Sequence, residues 1–312
     1  VFACFLFTDA VRAQGFGVYE QGTCVMGRAG ATVATGCGDG SSMFFNPANL
    51  ADIEGITASL GATIIDASGD FTYDSGKAPP STSISTVDLQ NDPIPVPHGY
   101  VGYRASERVG LGLGVYVPYG LETQWPQTLS DGSTFEGAFE GFDSRVQAIY
   151  IQPTIGIQAS ERLRIGFGPI VAISSVELNQ LQDLSQTPTG NRLPGNTFRD
   201  LGVRPNTAFA RTKLEGENEV GFGLNIGASF QATERLRIGG RFTSPIEITY
   251  DGEASFEQID TGINLSGTNI DRALAPRFDG GRLSSQSLQT EITFPMQIVG
   301  GLSFQATPDL LL

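Results

Sequence analysis

Side chains that could do chemistry are few in this sequence and poorly grouped. His98, the single histidine, stands in Pro95-Val-Pro-His-Gly99 with no nucleophile motif near it. A Ser-His-Asp hydrolase needs an imidazole between a nucleophile and a carboxylate, so no such set is expected. One histidine and no Cys-x-x-Cys leave no ligand cluster, and a metal site is not expected either. Gly36-Cys-Gly-Asp-Gly40 and Gly110-Leu-Gly-Leu-Gly114 are glycine-rich, yet neither has the full spacing of a nucleotide loop or leads from a strand into a helix. The expectation is a protein that is not an enzyme and uses no cofactor. What remains is a pair of cysteines, Cys24 and Cys37. The third, Cys4, lies in Val1-Phe-Ala-Cys-Phe-Leu-Phe7, which with Val11-Arg-Ala13 reads as residues 1–13 of a secretory signal cleaved near Gln14. Export puts Cys24 and Cys37 in an oxidising compartment, where a disulfide is open to them, although sequence spacing alone does not settle the geometry.

The elements that must position these residues follow from composition and periodicity. Forty Gly and 17 Pro with only 17% charged residues favour short strands and turns. Only two of the 19 basic residues, Lys77 and Lys213, are lysines, whereas a water-facing soluble surface normally carries many. The formal charge of −14 argues against binding a phosphate backbone, so no nucleic-acid partner is expected. No run approaches the 18 apolar residues of a membrane helix, but strands reveal themselves only by alternation.

Alternation is plain. Ile149, Ile151, Pro153, Ile155, Ile157 and Ala159 form one face of a segment whose other face is Tyr150, Gln152, Thr154, Gly156 and Gln158. The same division recurs over 221–231 and 236–249, with further strands expected at 56–66, 99–105, 109–117, 163–176 and 290–304. In the seventh of these, parity turns Arg237 and Arg241 to the polar side. Four connections are short and nearly alike: Ala105-Ser-Glu-Arg-Val109, Ala159-Ser-Glu-Arg-Leu163, Ala232-Thr-Glu-Arg-Leu236 and Ala306-Thr-Pro-Asp-Leu310. Long polar segments separate them at 67–97, 118–143, 179–219 and 251–288. Short turns at one end and long loops at the other are the arrangement of an outer-membrane barrel, with apolar residues towards lipid and small or polar ones inside. A soluble sandwich or lipocalin-like barrel would invert those faces and show Lys and Glu on its solvent side. Eight strands and the start of a ninth at Leu310-Leu-Leu312 are expected, which reads as part of a longer barrel over 51–312.

Residues 14–50 do not alternate and are rich in Gly, Ala and Ser, as a segment plugging a barrel would be. Gly15-Phe-Gly-Val-Tyr-Glu-Gln21, Gly27-Arg-Ala-Gly30 and Met43-Phe-Phe-Asn-Pro-Ala-Asn-Leu50 resemble the hatch of the FadL family of outer-membrane fatty-acid and hydrocarbon transporters. Val117-Pro-Tyr-Gly-Leu-Glu-Thr123, Gly221-Phe-Gly-Leu-Asn225 and Thr293-Phe-Pro295 continue the likeness. The resemblance implies an all-β transmembrane antiparallel barrel of about 14 strands when complete. It also implies a hatch at 14–50, an apolar pocket beside the hatch N-terminus at Gln14, Gly15 and Phe16, and a hatch element at Asn46, Pro47 and Ala48. Lateral release at a kinked third strand is the remaining implication. Here Pro118, Tyr119 and Gly120 are expected to close that strand, or simply to begin a loop. Trp125, Phe135, Phe139 and Phe142 follow as exposed loop aromatics, either a capture surface or an interfacial belt. The expected partners are a hydrophobic small molecule and outer-membrane lipid, with the chain acting as a monomer. The end of the fifth strand, Ser174-Ser-Val-Glu-Leu178, carries no cation for a carboxylate, which leaves a neutral hydrocarbon open as substrate. The competing classes are a general polar porin and a structural or adhesive surface protein.

Overall fold

A computed structural model describes residues 17–74, 82–189, 196–265, 267–308 and 310–312. The signal remnant and Gln14, Gly15 and Phe16 lie outside the described residues. Strands are β1 (Ile56–Ile65), β2 (Asp70–Thr72), β3 (Thr86–Asp88), β4 (Ile94–Ser106), β5 (Val109–Gln124), β6 (Asp143–Gln158), β7 (Leu163–Asp183) and β8 (Ala208–Gln231). They continue with β9 (Leu236–Thr243), β10 (Ile246–Gln258), β11 (Asn264–Leu265), β12 (Thr268–Asn269), β13 (Gln286–Phe294), β14 (Gln297–Thr307) and β15 (Leu310–Leu311). Helices are short: α1 (Thr23–Gly27), α2 (Ser42–Phe45) and α3 (Ile270–Phe278), with a 3-10 turn at Pro47–Asp52. No helix among the described residues is long and apolar enough to cross a membrane.

Eleven strands form one sheet in the order β1-β4-β5-β6-β7-β8-β9-β14-β15, with β10 and β13 pairing beyond β9 and β14. Neighbours are antiparallel, and the four short connections are hairpin turns between β4 and β5, β6 and β7, β8 and β9, and β14 and β15. The sides separate as period two demands. In β1, Ile56, Leu60 and Ile64 are 77%, 91% and 62% exposed, while Thr57, Ser59, Gly61 and Thr63 face the other way and are half-covered. A face so apolar and so open is stable only against hydrocarbon.

Strands run further than expected. β5 does not end at Val117: it continues to Gln124, because Val117 and Pro118 form a bulge opposite Ile149, between the pairs Tyr116 with Tyr150 and Tyr119 with Ala148. A bulge accepts a residue without an N–H, so Pro118 interrupts one rung and not the strand. Similarly, β4 begins at Ile94, β7 reaches Asp183, β8 begins at Ala208 and β10 reaches Gln258, all inside segments expected to be loops. Pro95 and Pro97 hid the start of β4 and polar side chains ended the apolar signal in the other three, but the ladder is made by backbone and continues. The segment expected as one strand at 236–249 is broken at Ser244-Pro245, and 290–304 is broken at Pro295-Met296. Register is kept across both breaks, from Thr243 with Gln297 to Ile246 with Phe294. Two prolines facing each other cost the ladder its donors locally.

The loop aromatics are also corrected. Phe135 and Phe142 are buried, and Trp125 and Phe139 pack partly buried against them with Val87, Leu129 and Leu181. They are the small core of a loop cap. Asp131 ties two loops of this cap together, accepting from Ser133, Ser83 and Thr82. The Ser133 hydroxyl first, then the Ser83 and Ser133 amides and the Thr82 hydroxyl, hold its carboxyl well below the usual carboxylate range.

Candidate functional site

The covered face of the sheet is built to receive the N-terminal segment. Gly110, Gly156, Gly166 and Gly227 are paired in one row across β5, β6, β7 and β8. A Cβ on Gly166 would lie 2.1 Å from the Pro47 carbonyl carbon, and one on Gly227 would lie 1.9 Å from Asn46 Oδ1. The row is glycine because main chain of residues 47–51 passes directly over Gly110, Gly156 and Gly166, and the Asn46 side chain over Gly227. Asn46, Pro47 and Ala48 are buried. Asn46 caps the 3-10 turn, its Oδ1 accepting from Ala48 N at 3.1 Å with Pro47 in the first turn. Its Nδ2 donates to Val33 O at 2.7 Å and to Ala228 O of β8 at 3.1 Å.

Polar side chains on the same face finish the carbonyls that α2 leaves open. Gln152 donates to Met43 O at 2.7 Å, Asn225 to Met43 O and Phe44 O at 3.0 Å each, and Arg241 to Phe44 O at 2.8 Å. The Arg241 guanidinium also lies 4.8 Å from the centre of the Phe44 ring. At the turn end, Asp52 takes Arg164 at 2.6 Å and Arg237 at 2.9 Å. Both arginines that parity turned inward are therefore bound to residues 44–52. Gln152 and Asn225 were invisible as anchors, since alternation places them inward without saying what they meet. Cys24 and Cys37 are bonded, with Cα atoms 6.2 Å apart.

A seam lies between β4 and β5. Their ladder stops at His98 with Tyr116. Beyond it, Ile94 to Pro97 pair only with β1, and Tyr119 to Gln124 pair with β6. The N-terminal segment fills the space between them. Gly17 bridges Tyr119, Val18 N donates to Pro118 O at 2.8 Å, and Gln21 Nε2 donates to Val117 O at 2.6 Å. Val18, Val96 and Val117 form an apolar cluster there, with Ile65 and Ile149 against it. Gly120 lies half-buried beyond the bulge. Tyr119 is buried, its ring 4.6 Å from that of Phe294 and its hydroxyl accepting from Gln297.

Above the segment, Val176, Leu178, Leu214, Tyr250, Leu288 and Ile292 line a mainly apolar cavity of about 250 Å³. No basic residue lines it. Lys213 nearby is paired with Glu215 and with Glu177 at 3.7 Å, and Arg145 with Glu122 at 3.2 Å.

A wholly antiparallel sheet with a greasy open face, and a covered face of glycine and polar anchors, defines a β-barrel protein of the bacterial outer membrane. Residues 4–299 match the family described as outer membrane protein transport protein (OMPP1/FadL/TodX), and the chain belongs to that family. It is 23% identical over 288 residues to the long-chain fatty acid transport protein of Escherichia coli K12, covering 89% of this chain and 62% of that one. It is 25% identical over 268 residues to outer membrane protein P1 of Haemophilus influenzae, covering 80% and 57%. The chain thus spans less than two thirds of these relatives. Among solved structures, a Pseudomonas aeruginosa FadL homologue superposes with a TM-score of 0.68 at 18% identity, covering 96% of this chain and 68% of that one. The Ralstonia pickettii toluene transporter TbuX does so with 0.57 at 18% identity, covering 91% and 68%.

Proposed function

We propose that the protein, as a monomer, carries hydrophobic small molecules passively across the outer membrane. In this reading residues 14–50 are the hatch, and the seam at Pro118, Tyr119 and Gly120 is the lateral exit through the barrel wall. The observation that carries it is the missing ladder between β4 and β5, filled beside Val117, Pro118 and Tyr119 by the first described residues of the N-terminal segment and bridged further along where Gln90 and Asn91 bond to Glu122 and Gln124. An apolar molecule leaving sideways there passes into lipid without exposing its surface to water again. The apolar cavity above the segment is the holding site. Its lack of a lining cation supports a neutral hydrocarbon over a fatty acid, whose carboxylate would be left unpaired in an apolar site. Trp125, Phe135, Phe139 and Phe142, packed inside the cap, are the first apolar surface a ligand would meet when the cap opens.

Uptake of labelled oleate and labelled toluene, by cells making the protein with or without residues 14–50, tests this. Accumulation of toluene that depends on the protein is expected; failure of both molecules to accumulate ends the transport reading. A general porin would need an open path, so large steady currents in planar bilayers would favour that class instead.

A further inference from the structure

The outer face of the sheet carries a groove that the transport reading does not use. It has a volume of about 550 Å³ and spans β6, β7, β8 and β9. Its shape follows from one row of paired residues, Ile157, Ile165, Ala228 and Gly240, in which side-chain size falls from butyl to methyl to hydrogen. The rows above and below are large throughout, with Phe167 and Phe242 on one side and Phe230 and Ile238 on the other. The glycines of the inward row are explained by the atoms of residues 46–51 pressed against them, but Gly240 is not. A Cβ there would meet only Val299 O, at 3.9 Å. Its small size leaves open space on the apolar face, and every outward side chain around it is hydrocarbon. A groove of this kind in the middle of the sheet, flanked on both sides by further paired strands, is not covered by the chain itself. In a bilayer such a space draws in acyl chain, since a void would forfeit its dispersion contacts.

The rim supplies the second half of a site. The two turns flanking the groove both read Glu-Arg, as Glu161-Arg162 and Glu234-Arg235, and all four residues are exposed. Among the described residues none of these four side chains makes a hydrogen bond or ion pair. Ile165 is three residues along β7 from Arg162, roughly 10 Å at strand rise. That is the drop from a headgroup to the upper part of its chains. The turn Glu107-Arg108 has the same charges, but the outward rows above it, with Val101, Tyr103, Leu111 and Leu113 exposed, leave no comparable depression.

We propose that this face holds one zwitterionic phospholipid of the periplasmic leaflet, with an acyl chain in the groove over Ala228 and Gly240. Its phosphate meets Arg162 and Arg235, and its ammonium meets Glu161 and Glu234. Guanidinium suits a phosphate oxygen pair, and a carboxylate suits a primary ammonium, so a phosphatidylethanolamine matches the charges of the rim where an anionic headgroup does not. Short turns face the periplasm in such barrels, which places the site in the phospholipid leaflet and away from lipopolysaccharide.

Native mass spectrometry of the detergent-extracted protein, with phosphatidylethanolamine, phosphatidylglycerol or lipopolysaccharide added in turn, tests the site. One phosphatidylethanolamine retained per chain is expected. Ala228→Phe, which fills the groove, should abolish retention, and Arg162→Gln with Arg235→Gln should weaken it about tenfold. Ala58→Phe on β1, outward but far from the groove, should change nothing. Folding of each variant is checked by heat-modifiable electrophoretic mobility, and Ala228→Leu replaces Ala228→Phe if the latter misfolds. The proposal is overturned if no lipid stays bound above the detergent background, if a folded groove-filling variant retains lipid as the parent does, or if phosphatidylglycerol or lipopolysaccharide is preferred.

Discussion

Asn46 and Gly227 are fitted to each other across 181 residues of sequence: the Asn46 Oδ1 occupies the place where a β-carbon on Gly227 would stand, 1.9 Å away. The same amide holds Val33 O and Ala228 O through its nitrogen. One side chain thus caps a turn, ties the N-terminal segment together and fastens it to the wall.

Gly227→Ala must push Asn46 out of that place, and overpacking of a fixed site costs about 1–3 kcal/mol. The expected outcome is a lower midpoint of heat-modifiable mobility together with raised and noisier bilayer conductance, as the segment loosens. Gly300→Ala on β14, where a Cβ would meet nothing within 4 Å, should be neutral in both measurements. Equal effects from the two variants would mean that Gly227 is not a contact for the segment.

Asp52→Asn leaves Arg164 and Arg237 facing each other without the carboxylate that now accepts from both, at 2.6 and 2.9 Å. The Asp52 side chain is 36% exposed, so water recovers part of the loss. A cost of about 1–2 kcal/mol is expected, near the lower range for charge-assisted hydrogen bonds. Thermal unfolding followed by circular dichroism reads it. The triple variant with Arg164→Gln and Arg237→Gln should recover part of the stability, because the unpaired cations go too.

At the seam, Gln21→Ala removes the donor to Val117 O, at 2.6 Å, beside a proline that can offer no N–H of its own. Amides of residues 17–21, 117 and 119–124 should then exchange with deuterium at least about tenfold faster, the loss of roughly 1.4 kcal/mol of local protection. Protein-dependent entry of labelled toluene should rise in the same variant. Unchanged exchange would show that the apolar cluster of Val18, Val96 and Val117 closes the seam unaided.

What could be read beforehand was whatever period two encodes. Alternation gave the inward direction of Arg237 and Arg241, and the four short, nearly alike connections gave the hairpin turns, because each depends on residues close in sequence. The outer-membrane location rested on alternation with short turns at one end and long loops at the other, and the family likeness on Asn46-Pro47-Ala48 with the motifs before and after it; both hold. The seam was legible only in part. Pro118 marked the place, but the bulge that lets β5 continue, and the Val18 and Gln21 bonds that fill the gap, are main-chain events between distant segments without a side-chain signature. Phe135 and Phe142 misled for a related reason: a long polar loop can bury its own small core, and composition does not report it.

Cys24→Ser with Cys37→Ser opens a ring closed over a sequence separation of 13. Closing a loop of that size stabilises by up to about 3 kcal/mol in the chain-entropy account. Because residues 25–36, with most of α1 among them, lie within it, the loss should fall on the N-terminal segment: early proteolysis there with the strands still protected, read by limited digestion and mass spectrometry. Loss of strand protection at the same protease concentration would contradict a local role.

The cap should loosen only in strong acid. Asp131 is held below its ordinary value by the Ser133 hydroxyl, the Ser83 and Ser133 amides and the Thr82 hydroxyl, so its ionised form is the one the folded cap favours. A carboxylate with a depressed folded value gives its stabilisation in full above the unfolded value, about 3.9, and loses it as pH falls through the lower folded value. Digestion of the cap by pepsin should therefore stay slow as pH drops to about 4 and accelerate below it. Asp131→Asn, which cannot ionise and accepts fewer of those bonds, should be cut quickly at every pH tested. If the variant and parent are cut at the same rate at a pH where both are measured above 4, the tie between residues 82–83 and 131–133 is not what holds the cap shut.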